Sequence, residues 1–137
     1  MVLFLIFLLL SSPAKADNVY IYKVTKVIDG DTFEIETENQ SLLIQELGLK
    51  IRVSGIDTPE IKGKCNKEKE LAQKAKKIAS ILILNKDVKL SNVKWDKFGG
   101  RIDATVEIGD INLAQTLINN KLAIEYNGEK KSKNWCK

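Results

Sequence analysis

The chain has 137 residues, of which 44% are hydrophobic and 29% charged, with 22 basic against 18 acidic side chains. These proportions are typical of one ordinary globular domain and exclude multidomain and collagen-like proteins. The sequence contains no histidine, which excludes every mechanism that uses an imidazole as base, acid, nucleophile or metal ligand. The chemistry must therefore come from carboxylates, Arg, Lys, hydroxyl groups or a metal bound through oxygen.

The N-terminal apolar run, residues 2–10, is much shorter than the roughly 20 residues that a membrane-spanning helix needs. It is followed by two serines, a proline and an Ala-Lys-Ala site at residues 14–16. This pattern predicts a secretory signal peptide over residues 1–16 and a mature domain over residues 17–137, although the run has no Lys or Arg before it. We expect the protein to be secreted or periplasmic, without stable membrane insertion after cleavage. An uncleaved anchor or a buried first element is the alternative.

Three strands are predicted in the first half of the mature chain. Residues 19–27 are rich in β-branched and aromatic residues and lead into an Asp29-Gly30 hairpin turn, after which residues 32–36 alternate between apolar and polar. A third strand is predicted over residues 50–56, and it ends before Pro59, which lacks an N–H.

From Asn66 the apolar residues recur with helical spacing, and the predicted core-facing stripe comprises Leu71, Ala75, Ile78, Ala79, Leu82 and Ile83. Two more strands are predicted over residues 87–94 and 101–108, followed by a short second helix over 111–119. Five short strands with one helix between the third and fourth are typical of a small closed Greek-key barrel. The predicted class is therefore α+β, mostly β.

Carboxylates stand at the ends of two predicted strands, namely Asp31 and Asp57, with Glu60 three residues further on. Clustered carboxylates repel one another, and a hard cation held by oxygen ligands keeps them ionised near neutral pH. Calcium and magnesium are the candidates. Each carboxylate alone is also explained as an ordinary turn or solvated residue.

Arginine is rare in this chain, which has 20 lysines and only two arginines, Arg52 and Arg101. Only a guanidinium presents a planar fork that holds two phosphate oxygens at once. The placement of both arginines close to the acidic segments indicates bidentate contacts with a phosphate, whereas surface ion pairs would be served equally well by lysine.

Three segments together resemble the staphylococcal nuclease (thermonuclease) family: Val27-Ile28-Asp29-Gly30-Asp31-Thr32, then residues 51–60, then Asp96-Lys97-Phe98-Gly99-Gly100-Arg101. The resemblance implies a five-stranded OB-fold barrel with packed helices. It also implies calcium-dependent hydrolysis of phosphodiester bonds in DNA and RNA that leaves 3′-phosphate ends. We expect little sequence specificity, a preference for single strands and a monomer.

The resemblance assigns roles position by position. It makes Asp31, Asp57 and the backbone carbonyl of Thr58 ligands of Ca²⁺, and it places Asp29 in the outer shell around the metal. Glu60 matches the carboxylate that activates the attacking water. The two arginines, Arg52 and Arg101, match the groups that hold the scissile phosphate.

This sequence also departs from the family pattern. Phe98 stands where the family often has tyrosine, and Gly100 is an extra residue that could shift Arg101. The third, C-terminal helix of the family is missing, and a disulfide between Cys65 and Cys136 could fix the tail instead. Two free thiols are the alternative for these cysteines, although an even number in an exported chain favours a bridge.

Two other functions are compatible with parts of the sequence. A non-catalytic OB-fold module would bind single strands by stacking and charge, but it would have no use for Asp31, Asp57 and Glu60 beside a phosphate. A disulfide-stabilised interaction domain of the cell envelope would have no affinity for nucleic acid.

Overall fold

A computed structural model of the chain describes residues 18–42, 45, 49–97, 99–129 and 133–137. The predicted signal peptide and Phe98 lie outside the described residues. None of the helices within these ranges has the length and apolar character that crossing a bilayer requires.

The described residues form eight strands and two helices. The strands are β1 Tyr20–Val27, β2 Thr32–Ile35, β3 Leu49–Val53, β4 Ile56–Asp57, β5 Asp87–Trp95, β6 Ile102–Ile108, β7 Ile111–Asn112 and β8 Ile124–Glu125, and the helices are α1 Asn66–Ile83 and α2 Leu113–Asn119.

Five of these strands close into a barrel. The antiparallel order β3-β2-β1-β5-β6 is completed by a parallel pairing between β3 and β6, in which Arg52 lies opposite Asp103. The two-residue strands β4 and β8 form a separate small antiparallel pair. The structure therefore confirms the prediction of a mostly β, five-stranded OB-fold barrel with two packed helices.

The core lies inside the barrel and against α1. Alternate residues of the long strands point inward, and the helix adds the buried side chains of Ala75, Ala79 and Ile83. The residues that the helix and the strands were predicted to direct inward lie in one buried cluster. The spacing of apolar residues along the sequence therefore identified the buried face of each element.

Two elements differ from the prediction by more than one residue at a boundary. The third strand was expected to run continuously over residues 50–56, but it breaks at Ser54-Gly55, where Gly55 has a φ of +80°. The chain turns there and starts β4. The second helix begins at Leu113 rather than at Ile111, because Ile111 and Asn112 pair with β6 and the Asn112 side chain accepts a hydrogen bond from the Gln115 N–H.

The tail returns to the start of α1. Cys136 forms a disulfide with Cys65, the N-cap residue of that helix, with 6.0 Å between their Cα atoms. Trp135 beside it is buried. The described residues after Glu125 include no helix.

Candidate functional site

A row of polar residues crosses four neighbouring strands on the outer surface of the barrel. Thr32 lies opposite Arg52, Arg52 opposite Asp103, and Asp103 opposite Lys94. The residues adjacent to them along these strands, including Phe33, Ile51 and Val53, point into the core. Strand alternation therefore directs the row away from the core and places cationic and anionic groups side by side.

Two aspartates flank one end of this row. Asp31 directly precedes β2 and Asp57 ends β4, and both are largely buried, with 9% and 3% of their surface exposed. The Thr32 hydroxyl donates a hydrogen bond of 2.9 Å to Oδ1 of Asp31. The Asp31 N–H donates in turn to Oδ1 of Asp29 at 3.1 Å. These contacts fix the orientation of the acidic loop between β1 and β2.

The acidic loop carries an excess of negative charge. Burial, and then the neighbouring Asp31 carboxylate, raise the pKa of Asp29 from 3.8 to about 7, with a smaller contribution from Glu60. The raised pKa means that the negatively charged carboxylate is disfavoured at this position. A cation bound beside it would stabilise that charged form.

Arg52 is oriented by the turn that ends β3. Its Nη2 donates to the carbonyl of Ile56 at 2.9 Å and its Nη1 lies 3.4 Å from the carbonyl of Val53. The guanidinium carbon stands 5.8 Å from the ring centre of Tyr126, within the range of a cation–π contact. Tyr126 is half-buried and belongs to the wall of the same pocket as Arg52.

Arg101 is held by Asp96, a buried carboxylate that the sequence analysis did not assign. The two side chains form an ion pair through Nε of the arginine. The backbone closes the same turn, because the Asp96 N–H donates to the Arg101 carbonyl at 3.1 Å and the Gly99 N–H to the Asp96 carbonyl at 2.9 Å. Both Gly99 and Gly100 have a φ of +74°, so the additional glycine is accommodated in the turn and Arg101 still faces the site.

Glu60 follows Pro59 in the segment between β4 and α1. The backbone of this segment is bonded to Glu68, a buried residue in the first turn of α1 that the sequence analysis also missed. Glu68 lies three residues after the N-cap Cys65, which is the position of the acidic residue in a capping box. This spacing could have identified Glu68 from the sequence.

The predicted catalytic side chains meet in one pocket of about 290 Å³. Its walls include six residues predicted from the sequence, namely Asp29, Asp31, Arg52, Asp57, Glu60 and Arg101. They also include Trp95, Asp96 and Asp103, to which the sequence analysis gave no role. Burial and the nearby Asp96 raise the pKa of Asp103, and the three surrounding cations oppose that shift.

Thr58 is the exception among the predicted residues. It is buried and lies in the wall of a neighbouring cavity of about 300 Å³, on the side of Asp57 and Glu60 that faces Trp135. The structure thus brings Thr58 next to the acidic residues but not into the pocket that holds the arginines.

The donor atoms suit a hard cation. Among the described residues, three Cys, Asp or Glu ligand atoms lie within 4.8 Å of one another only in Cys65, Glu68 and Cys136, where the two sulfurs are joined in a disulfide. Among the described residues of the acidic pocket, no three carboxylates have oxygen atoms within this distance of one another. Carboxylate and carbonyl oxygens are the ligand types that hard cations such as Ca²⁺ and Mg²⁺ prefer, and water commonly completes their coordination.

The chain matches the family of staphylococcal nuclease homologues over residues 50–135. It belongs to that family. The matched range includes Arg52, Asp57, Glu60 and Arg101, and the acidic loop of Asp29 and Asp31 precedes it. As a staphylococcal nuclease homologue, the chain combines the family's barrel with a disulfide at the start of α1.

A relative from Haemophilus influenzae is named an uncharacterized endonuclease. It is 32% identical to this chain over 96 residues, which is 70% of this chain and 46% of the relative. The chain thus spans about half the length of that relative.

Proposed function

We propose that this staphylococcal nuclease homologue is an exported, calcium-dependent nuclease that hydrolyses phosphodiester bonds of DNA and RNA with little sequence specificity. The observation that carries the proposal is the convergence of Asp31, Asp57, Glu60, Arg52 and Arg101 on one pocket. A protein that only bound nucleic acid would lose affinity by placing three carboxylates beside a phosphate.

The metal site in this proposal consists of Asp31, Asp57 and the carbonyl of Thr58. The burial of both aspartates and the raised pKa of Asp29 support it, because they indicate negative charge that a cation would offset. When bound, Ca²⁺ supplies positive charge that stabilises the phosphate as negative charge builds on its oxygens.

The arginines hold the phosphate. Arg52 is oriented by two carbonyls and Arg101 by Asp96, so both guanidinium groups are positioned before substrate arrives. Positive groups fixed in this way need little reorganisation as charge develops in the transition state. Their fork geometry also allows each to contact two phosphate oxygens.

Glu60 removes a proton from the attacking water. The water oxygen forms a bond to phosphorus as the bond from phosphorus to the 5′ oxygen breaks. The products are a 3′-phosphate and a 5′-hydroxyl: the leaving 5′ oxygen takes up a proton from solvent water, and Glu60 releases the proton it took to solvent, so atoms and charge balance. Glu60 faces both cavities beside Asp57, and this position supports its role next to the metal ligands.

Export and a monomeric, single-strand-selective enzyme complete the proposal. The predicted signal peptide and the Cys65–Cys136 disulfide support export, because disulfides persist in oxidising compartments such as the periplasm or the external medium.

The test is digestion of single-stranded DNA and RNA by the mature protein in calcium, with and without a chelator, followed by analysis of the product ends. We expect cleavage that the chelator abolishes and 3′-phosphate products. Glu60→Gln should lose cleavage while retaining metal binding, and Glu70→Gln, an exposed acid on α1, serves as the matched control. Intact nucleic acid in all tubes, with binding that the chelator does not change, would instead establish the non-catalytic OB-fold module.

A further inference from the structure

Trp95 is an exposed aromatic side chain in the wall of the candidate active site. It has 74% of its surface exposed, whereas the second tryptophan, Trp135, has 7%. Tryptophan carries the largest apolar surface of any residue, so burial in the core would normally stabilise the fold. The fold leaves Trp95 in solvent beside the phosphate-holding arginines, where it can serve binding instead.

A bulge in β5 determines which residues reach this wall. Ser91 lies opposite Thr105, but the next pair is Lys94 with Asp103, so β5 contains one extra residue. Without that residue Val93 would lie opposite Asp103. The bulge therefore places Lys94 in the polar row and Trp95 at the end of the strand, directly before the turn that carries Arg101.

The surroundings of Trp95 are those of a single-strand binding site. Lys94 and Arg101 line the same pocket as Trp95, and Tyr126, whose ring centre lies 5.8 Å from the guanidinium carbon of Arg52, lines it as well. Proteins bind unpaired strands by combining cations that contact the backbone with aromatic rings on which bases stack.

We propose that Trp95 is a stacking platform for the nucleobase next to the phosphodiester that Arg52 and Arg101 hold. The inference rests on the proposed function and specifies its substrate as unpaired strands of DNA or RNA. In a duplex both faces of each internal base are already covered by its neighbours, so Trp95 can stack only on a base that is unpaired and unstacked. Because every base has a flat π-face, the site does not select a sequence.

The first experiment measures binding without cleavage. Parent protein and a Trp95→Ala variant are titrated in chelator with a short oligothymidylate, a phosphodiester chain of the same length that lacks bases, and a duplex. We expect oligothymidylate to quench the tryptophan fluorescence of the parent. Trp95→Ala should weaken oligothymidylate binding by about 5- to 100-fold, and Trp95→Phe should restore part of the loss. The chain without bases should bind both proteins equally.

Ile21→Ala is the matched control, because Ile21 is a comparably exposed apolar residue, with 68% of its surface exposed, on β1 and outside the pocket wall. Equal affinity of parent and Trp95→Ala for oligothymidylate would overturn the inference. So would equal affinity of the parent for the chains with and without bases.

The second experiment measures cleavage in calcium. Trp95→Ala should raise KM for single strands by a similar factor with little change in kcat, since Trp95 contacts a base and not the reacting atoms. A parent that fails to cleave but binds through Trp95 would contradict the proposed nuclease and leave the stacking site established. A parent that cleaves single strands no better than the Trp95→Ala variant would contradict the stacking site alone.

Discussion

The buried carboxylate of Glu68 is hydrogen-bonded to the backbone of Glu60. Its Oε1 accepts from the Glu60 N–H at 3.4 Å and its Oε2 from the Lys64 N–H at 2.9 Å. Gly63 lies so close to the Glu68 side chain that a Cβ at position 63 would be 2.5 Å from Cγ of Glu68. The segment that carries the proposed general base is therefore fixed to the first turn of α1.

Glu68→Gln should reduce kcat by about tenfold or more while changing KM little. The amide retains only one acceptor oxygen, so one of the two backbone N–H groups loses its partner and Glu60 shifts relative to the phosphate. Displacement of a catalytic group by about 1 Å can cost 100-fold in rate. Steady-state kinetics on single-stranded DNA measure the effect, with Glu70→Gln as the exposed control on the same helix.

A double variant separates positioning from general damage to the fold. If Glu68 acts through Glu60, then Glu68→Gln should cause little further loss when Glu60 is already replaced by Gln, because the two effects are not additive. Full multiplication of the two losses would show that Glu68 acts independently of Glu60.

Arg52→Lys should lower kcat/KM by about 10- to 100-fold with little change in melting temperature. Lysine keeps the positive charge, but it has no fork with which to contact the Ile56 carbonyl and two phosphate oxygens together. The loss of one oriented donor to a developing charge typically costs about 100-fold or more, and the retained charge moderates that cost.

Lys50→Arg, the opposite exchange at an exposed position of the same strand, is the matched control and should leave both activity and stability unchanged. Turnover by Arg52→Lys close to that of the parent would show that charge alone is sufficient at this position.

The fold could be predicted from the sequence because its core is periodic. Strand alternation and the helical stripe of α1 identified the buried faces, and the structure confirms them. The break at Gly55 was missed, although a Ser-Gly pair is a turn signal and the buried apolar positions change phase there, from Val53 to Ile56.

The site was predictable only in part. Its predicted residues stand in three short segments that the resemblance identified. Asp96 and Trp95 were missed because their importance depends on which elements the barrel brings together, whereas the spacing of Glu68 from the N-cap Cys65 was a local signal that was overlooked. In the sequence Asp96 cannot be distinguished from an ordinary turn residue. Its role depends on the ion pair with Arg101, which only the structure shows.

Gly30→Ala should destabilise the fold by about 1–3 kcal/mol, the usual cost of overpacking. The sequence suggested that this glycine serves a turn, but Gly30 does not have a positive φ. It allows close approach instead, since an added Cβ would lie 2.8 Å from Cβ of Ala75 and 3.3 Å from Cγ2 of Thr58. Denaturant unfolding measures the loss. Ala75→Gly costs about 1 kcal/mol by itself in a helix interior, so the test is the coupling: the exchange should cost less in the Gly30→Ala background than in the parent. An equal cost in both would show that the crowding at Ala75 is not the cause.

Cys136→Ser should lower the free energy of unfolding by about 4 kcal/mol, because the disulfide closes a loop whose ends are 71 residues apart. For a domain of this size, that loss corresponds to a fall in melting temperature of roughly 10–20 °C. Calorimetry of the oxidised proteins measures it. Reductant should lower the melting temperature of the parent to that of the variant and leave the variant unchanged.

Cys65→Ser removes the same bridge but keeps a capping atom. The Cys65 sulfur accepts a hydrogen bond from the Glu68 N–H at 3.4 Å at the start of α1, and a serine oxygen is a better acceptor in that position. Cys65→Ser should therefore be less destabilising than Cys136→Ser by several tenths of a kcal/mol to about 1 kcal/mol. The reverse order would show that the sulfur at residue 65 stabilises the helix in a way that a hydroxyl group does not replace.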